Sequence, residues 1–152
     1  MVSDELLKQV KAEEGLRLQA YYCTAGKKTI GYGRCIDVNP YFEGNRIPDE
    51  ITKDQAEAIL AFDLNYASTV LAAAWHGYEL LQGARRDACI QMVYQLGLDG
   101  FLGFQKMRKA LIMCDWQQAY AHALDSEWAE QTPSRANRIA MQILTGTYYE
   151  LK

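Results

Sequence analysis

The chain has 152 residues, of which 49% are hydrophobic and 23% are charged, and its formal net charge is −3. This length suits one domain with a real core, and the composition excludes a disordered or collagen-like chain. The acidic balance argues against general nucleic-acid binding, which favours a basic surface. No apolar run approaches the roughly 20 residues of a membrane-spanning helix. We therefore expect a globular protein without a membrane span, and we expect a monomer.

The N-terminus and the cysteines indicate the compartment. The first residues lack a basic start followed by an apolar block, which predicts synthesis in a cytoplasm without a secretory signal peptide. The four cysteines show no CxxC pairing and only two histidines are present, so we expect no metal site and no cofactor. In a reducing compartment we expect four free thiols, with Cys89 and Cys114 buried as small hydrophobic residues.

The first third of the chain predicts a short helix followed by strands. Ser3 is a typical N-cap for an amphipathic helix over residues 3–14, and Gly15 is expected to end it in a left-handed conformation. From residue 16 to about residue 36, glycines recur between β-prone side chains, with a turn signal at residues 25–27. This pattern predicts a small antiparallel hairpin or sheet.

The rest of the chain reads as helical. Thr52 and Gln55 form a candidate capping box at the start of a long helix. A second helix is predicted over residues 84–96, and a third is capped by Asp115 and runs to about residue 124. The last one begins at Thr132-Pro133, with proline at the first helical position, and ends at Gly146.

This order of elements predicts an α+β arrangement within one domain over residues 1–152. A small β-containing lobe would comprise residues 15–50. A larger helical lobe would comprise residues 51–152 together with the N-terminal helix. We expect a cleft where the two lobes meet, a common place for ligand sites.

Glu14 is the first candidate for chemistry. A carboxylate at a helix C-terminus faces the negative end of the helix dipole, which disfavours its ionised form. Such a group is suited to donating a proton to a leaving oxygen. Taken alone, these considerations still favour an ordinary solvated helix-end glutamate, because surface glutamates are common.

The residues around Glu14 favour a catalytic role over that of an ordinary surface glutamate. Residues 14–18 read Glu-Gly-Leu-Arg-Leu, Cys23 follows, and residues 29–33 read Thr-Ile-Gly-Tyr-Gly. This stretch closely resembles the phage-type lysozymes, glycoside hydrolase family 24, including the gaps of nine and six positions between Glu14, Cys23 and Thr29. The resemblance continues in order through residues 51–57, 84–88, 92–97, 131–136 and 145–147, and so covers nearly the whole chain.

The resemblance implies hydrolysis of the β-1,4 bond between N-acetylmuramic acid and N-acetylglucosamine in peptidoglycan glycan strands. Glu14 would protonate the glycosidic oxygen, while Cys23 and Thr29 would hold a water on the opposite face of the sugar, giving inversion. Inverting sites keep their two groups roughly 6.5–9.5 Å apart. Such an endolysin would be made in the host cytoplasm and would act on the cell wall after release through a pore protein of the holin type.

The residue at position 23 determines how the attacking water would be activated. The family accepts Asp or Cys there, and a thiol with a pKa of about 8.5 is mostly protonated near neutral pH. Lys27 and Lys28 would favour the thiolate. The alternative is an ordinary half-buried cysteine, with the water placed by Thr29. Two other carboxylates, Asp37 and Glu43, have no spacing that recommends them.

Cys23 in place of Asp keeps two other functions open. A lytic transglycosylase needs one acid and no water-activating carboxylate. A non-catalytic homologue would hold glycan without cutting it, although retention of both Glu14 and Thr29 argues against this.

Further site residues follow from the resemblance. Gly33, Tyr94 and Gln95 fall where the family lines its sugar cleft; an aromatic such as Tyr94 is more often a core residue, whereas the Gln95 amide suits acetamido sugars. The glycines of the strand would let a saccharide approach the backbone closely.

Two sets of charges also follow from the resemblance. Arg135 would face Glu14, and Arg138 would face Glu13, across the base of the cleft. Arg34 and Asp63 occupy positions that form an ion pair in the family, where the first is usually His.

Overall fold

A computed structural model describes residues 1–38 and 40–151; Asn39 and Lys152, which the predicted lobes include, lie outside the described residues. The described part combines helices with a three-stranded antiparallel sheet, which confirms the α+β prediction. In chain order the elements are α1 (Asp4–Glu14), β1 (Arg17–Tyr22), β2 (Lys28–Gly31), β3 (Arg34–Cys35), a 3₁₀ turn (Phe42–Gly44), α2 (Lys53–Ala74), α3 (Gly77–Leu80), α4 (Gly83–Leu102), α5 (Gln105–Ile112), α6 (Trp116–Leu124), α7 (Glu127–Gln131) and α8 (Pro133–Thr145).

The N-terminal helix forms as its sequence predicts. The hydroxyl of Ser3 accepts the Leu6 backbone N–H, and Leu6 and Val10 are buried on one face. Gly15 ends the helix with a positive φ of 69°, but its ψ of 166° is extended. The predicted left-handed conformation is therefore wrong. Instead the chain leaves the helix directly into a strand, at a backbone geometry that only glycine adopts without strain.

The sheet has the order β1-β2-β3. Tyr21 pairs with Thr29, and Thr29 pairs with Cys35, while an irregularity bends β1 between Arg17 and Tyr21. The outer edge of β1 is covered by residues 49–51, through backbone hydrogen bonds that involve residues 18 and 20. Residues 49–51, which pair with β1, therefore lead directly into the start of α2.

Helix α2 begins at the predicted capping box, in which Thr52 and Gln55 exchange side-chain and backbone hydrogen bonds. The predicted helix over residues 84–96 is the first part of α4. Gly97 interrupts α4 with φ 78° and ψ 166°, and a short helical segment continues to Leu102.

The remaining helices also follow their local signals. The Asp115 carboxylate caps α6, Pro133 stands at the start of α8, and Gly146 ends α8 in the left-handed conformation. The four cysteines are free thiols, and Cys89 is buried as predicted. The prediction that Cys114 is buried is wrong. This residue is exposed, because it lies in the tight connection from α5 to α6 with φ 55°.

One continuous hydrophobic core links α1, the inner side of the sheet and the larger helices. Its largest fully buried side chains include Phe101, Leu6, Ile30, Leu64 and Met92. In the described part of the chain, no helix combines the length and the apolar character needed to cross a membrane. The packing brings α1 and the short strands against α2, α4 and α8, and so creates the walls of the candidate site.

Candidate active site

A cavity of about 870 Å³ opens between the small sheet and the helices. Its volume lies in the range of ordinary ligand sites. The lining residues used below are Glu14, Cys23, Gly33, Arg34, Tyr94, Gln95 and Arg135. The structure therefore brings residues from the end of α1, the sheet, α4 and α8 to one concave surface.

Glu14 is the last residue of α1 and lies at the wall of this cavity. The Nη1 group of Arg135 donates a hydrogen bond to Glu14 Oε1 at 2.7 Å. The Glu14 side chain is only 22% exposed and that of Arg135 is 11% exposed. The acid is therefore held in one position by a charged partner while it retains an open side toward the cavity.

Gly33 makes room for that carboxylate. Its φ is 84°, and a Cβ atom at this position would lie 2.8 Å from Glu14 Oε2. Any other residue would be strained and would also push the Glu14 side chain away. The sequence suggested that this glycine allows a close approach of saccharide. The structure adds another reason for it, which is the space occupied by Glu14.

Cys23 follows β1 and also lines the cavity. Hydrogen bonds from the backbone N–H groups of Lys27 and Ala25 lower the pKa of its thiol, and a smaller contribution comes from the side chain of Thr29. The sequence predicts that the charges of Lys27 and Lys28 favour the thiolate of Cys23. In the structure the cause is the backbone of the hairpin turn, and Lys28 instead pairs with Asp49.

Thr29 lies behind Cys23 rather than on the cavity wall. It is 5% exposed, and its hydroxyl donates to the Lys27 carbonyl oxygen at 2.9 Å. It is not among the residues that line the cavity in the described part of the chain. In this position Thr29 stabilises the hairpin turn around Cys23. Its hydroxyl bonds to the turn rather than facing a ligand in the cavity.

Tyr94 and Gln95 lie on α4 and line the cavity side by side. The Tyr94 hydroxyl donates to the Tyr32 carbonyl oxygen at 2.6 Å, and burial raises its pKa. Gln95 Oε1 accepts a hydrogen bond from Trp128 Nε1 at 3.0 Å, and Gln95 Nε2 donates to Thr132 Oγ1 at 3.3 Å. These bonds fix both side chains at the cavity wall.

A buried charge network lies beneath Glu14. The Glu13 side chain is 5% exposed and accepts hydrogen bonds from Arg138 Nη2 at 2.5 Å and from the Tyr149 hydroxyl at 3.0 Å. Gln91 Oε1 accepts a hydrogen bond from Arg135 Nε and also lies 3.1 Å from the Tyr149 hydroxyl, whose single proton is shared between Glu13 and Gln91. No local sequence pattern indicates Gln91 or Tyr149, because their partners are 44 to 136 positions away in the chain.

Arg34 pairs with Asp63 on α2 through a side-chain hydrogen bond. The same guanidinium donates to the carbonyl oxygens of Val38 and Pro40, so it anchors the segment that follows β3. Burial raises the pKa of Asp63 to about 6, and the charge of Arg34 opposes that shift. Together these contacts fix the middle of the cavity wall.

The described part of the chain, residues 1–38 and 40–151, holds no group of three His, Cys, Asp or Glu side chains placed to bind a metal ion. The groups at the cavity wall include a carboxyl group held by a guanidinium, a thiol and fixed polar side chains. Such a set is suited to proton transfer to a bound ligand.

Comparison with known proteins assigns this chain to a family. The profile of the phage lysozyme family matches residues 11–142. The chain belongs to the phage lysozyme family, which confirms the resemblance seen in the sequence.

Three relatives illustrate the range of that similarity. The chain is 30% identical to the pre-baseplate central spike protein Gp5 of Enterobacteria phage T4, over 93% of this chain but 28% of that protein. It is 30% identical to the probable T4-type lysozyme 1 of Dictyostelium discoideum, over 91% of this chain and 92% of the relative. It is 34% identical to an endolysin of Acyrthosiphon pisum secondary endosymbiont phage 1, over 71% of this chain and 68% of the relative. The chain therefore spans less than a third of the spike protein but most of the lysozyme.

Proposed function

We propose that this chain is an N-acetylmuramidase that hydrolyses the β-1,4 bond between N-acetylmuramic acid and N-acetylglucosamine in peptidoglycan. The observation that carries the proposal is the position of Glu14. It lies on the wall of the cavity, partly shielded from water and held by Arg135, with Cys23 on the wall of the same cavity. The names of two relatives, a T4-type lysozyme and an endolysin, support the same class of reaction.

In the proposed reaction, protonated Glu14 donates its proton to the glycosidic oxygen as the bond from that oxygen to C1 breaks. Positive charge develops on the sugar, and a water attacks C1 from the opposite face, which inverts the configuration. Glu14 leaves this step as a carboxylate. The Arg135 guanidinium interacts more strongly with that carboxylate than with the acid, so the contact favours the transition state over the starting complex.

Cys23 is the proposed partner on the water side. As a thiolate it would accept the proton of the attacking water and place negative charge near the developing oxocarbenium ion. The backbone N–H groups that lower its pKa favour this form. Thr29 is proposed to hold the hairpin turn and the thiol in place, and through Cys23 to position the water.

The Cys23 hypothesis predicts a pH dependence. The pKa of Cys23 lies below its usual range. The thiolate fraction, and with it the activity, should therefore increase at a lower pH than the pH at which an ordinary cysteine ionises. Cys23→Asp should move this limb to lower pH, and Cys23→Ser and Cys23→Ala should remove it while lowering the maximum rate roughly 10²- to 10⁴-fold.

Activity against purified walls, measured between pH 5 and 9 for the four proteins, tests this. The alkylation rate of Cys23 with iodoacetamide gives its titration independently, in a background where Cys35 and Cys114 are serine. Equal pH profiles in wild type and all three variants would show that position 23 takes no part in catalysis.

The bond that is broken is tested by mass spectrometry of the sugar products. We expect reducing ends generated by water, with the opposite anomeric configuration when products are followed by NMR in the first minutes. Products with 1,6-anhydro ends would identify a lytic transglycosylase instead. Saturable glycan binding without any product would identify a non-catalytic homologue.

The remaining assignments are part of the same proposal. Gly33, Tyr94 and Gln95 would contact the sugar rings next to the scissile bond. Residues 1–152 would act as one domain whose two lobes enclose the glycan strand. Synthesis in the host cytoplasm, with release to the wall through a holin-type pore protein, is tested by expression in a bacterial host: lysis should require co-expression of a pore-forming protein.

A further inference from the structure

Gln91 lies within the charge network beneath Glu14, and the reaction proposed above gives it no role. It belongs to α4 and its side chain is fully buried. Its Oε1 atom accepts a hydrogen bond from Arg135 Nε at 3.1 Å. The Nη1 group of the same guanidinium donates to Glu14 Oε1 at 2.7 Å. Arg135 is therefore held at one N–H group by the amide of Gln91 and at another by the proposed acid.

Glu13 is a second possible partner for the Nε group of Arg135. Glu13 Oε2 lies 3.7 Å from this nitrogen, beyond hydrogen-bond distance, whereas Gln91 Oε1 lies within it. A carboxylate binds a guanidinium more strongly than a neutral amide does. Gln91 therefore occupies the N–H group that Glu13 would otherwise take.

The neutrality of Gln91 preserves the charge balance of the network. Arg138 pairs with Glu13 and Arg135 pairs with Glu14, so each carboxylate has its own guanidinium. If Arg135 turned toward Glu13, that residue would have two cationic partners and Glu14 would lose its own. A side chain that accepts the Nε bond without adding a negative charge keeps the charge of Arg135 next to Glu14.

The amide nitrogen of Gln91 indicates that this residue is not kept for stability. Gln91 Nε2 is buried and meets no hydrogen-bond acceptor among the described residues. A buried donor without an acceptor costs free energy, which offsets the gain from the bond to Arg135. Gln142 is a buried glutamine that uses both ends of its amide, because Nε2 donates to the Ala84 carbonyl oxygen and Oε1 accepts from Gln9 Nε2.

We propose that Gln91 is a positioning residue, which directs the Arg135 guanidinium to Glu14 and away from Glu13. This inference rests on the proposed function, in which Arg135 stabilises the carboxylate that Glu14 becomes as the glycosidic bond breaks. Gln91 is not among the residues that line the cavity in the described part of the chain. It therefore acts through Arg135 and not on the substrate.

The test compares kcat and KM for a defined glycan in wild type, Gln91→Met and Gln91→Glu. Methionine is about as long as glutamine, but its sulfur is only a weak acceptor. In Gln91→Met we expect kcat to decrease about tenfold, roughly the value of one hydrogen bond to a charged group, with KM unchanged. The melting temperature should stay close to that of wild type, because the unpartnered amide is removed together with the bond.

Gln91→Glu restores the acceptor but adds a negative charge. The new carboxylate should draw Arg135 away from Glu14 and lower kcat at least as far as Gln91→Met does. A wild-type kcat in Gln91→Glu would show that the neutral amide is not needed, and would overturn the proposal.

A double variant tests whether Gln91 acts through Arg135. Arg135→Met removes the guanidinium and should lower kcat at least as far as Gln91→Met does. Adding Gln91→Met to it should cause no further loss, because the group that Gln91 positions is already absent. Losses that multiply in the double variant would mean that Gln91 acts independently of Arg135, contrary to the proposal.

Gln142→Met is the matched control, because it removes the amide of another buried glutamine, whose bonds end at Ala84 and Gln9. It should lower the melting temperature and keep the wild-type kcat when activity is measured well below that temperature. This is the opposite of the pattern expected for Gln91→Met. A Gln91→Met protein that melts earlier and keeps its kcat would identify Gln91 as a purely structural residue.

Crystal structures of wild type and Gln91→Met separate the positioning role from the proposed hydrolysis, because they require no cleavage. In the variant we expect Arg135 Nε at hydrogen-bond distance from Glu13 Oε2, and the bond from Nη1 to Glu14 lost. If wild type leaves glycan intact but Arg135 turns in this way, the hydrolysis is wrong and the positioning role stands. If wild type cleaves glycan and Arg135 keeps its bond to Glu14 in the variant, the positioning role is wrong and the hydrolysis stands.

Discussion

Glu14→Gln is expected to reduce the rate of cell-wall clearing by about 10²- to 10⁴-fold, the usual contribution of a general acid. Glutamine has nearly the same shape as glutamate, and its amide oxygen can accept the hydrogen bond that Arg135 donates at 2.7 Å. It lacks the acidic proton that the leaving sugar oxygen needs. The loss should therefore appear in kcat while KM changes little, as expected when an interaction specific to the transition state is removed.

The measurement is the decrease in turbidity of purified walls, followed by single-turnover cleavage of a defined glycan. Glu130→Gln makes the same chemical change at an exposed glutamate on α7 and should clear walls at the wild-type rate. Robust clearing by Glu14→Gln would refute the assignment of the acid, whatever the effect on Cys23 variants.

Glu13→Ala is expected to lower the free energy of unfolding by about 3 kcal/mol, the lower part of the range for breaking a buried ion pair. The Glu13 side chain is 5% exposed, and its removal leaves Arg138, which is 29% exposed, and the Tyr149 hydroxyl without their partner. The partial exposure of Arg138 keeps the loss below that of a fully buried pair. Chemical denaturation with urea gives the value directly.

Thermal melting should show a decrease of roughly 10 °C for the same variant. Glu130→Gln serves again as the control, with an expected change within about 0.5 kcal/mol, as for other surface substitutions. A Glu13→Ala protein as stable as wild type would mean that the network of Glu13, Arg138 and Tyr149 contributes no net stability. Activity measured well below the melting temperature then shows how far this network also positions Glu14.

Local signals predicted the helices well. The N-cap at Ser3, the capping box at Thr52 and the proline at position 133 act within one helical turn, so a short window of sequence contains the whole cause. The Glu14 position was likewise predictable, because a glycine that must end the helix follows it. At these positions the interacting residues are close to each other both in the sequence and in space.

Other features depend on packing that no short window contains. Cys114 stands in an apolar stretch yet is exposed, because its side chain belongs to a tight turn between two helices. The backbone of the hairpin turn lowers the pKa of Cys23. The identities of the side chains do not reveal this contribution. Gly33 is explained only when the helix that carries Glu14 is placed against the turn between β2 and β3 that contains the glycine.

The long-range contacts at Glu14 also set the order in which the site can be assembled during synthesis. Glu14 is made early, but Arg135 follows it by 121 positions, and Tyr149 follows Glu13 by 136. The acid therefore has no charged partner until the ribosome has made α8, and contacts between residues so far apart form late and slowly in folding. A chain that ends before Arg135 would contain the glutamate without its guanidinium partner, and we expect it to lack the activity proposed for Glu14.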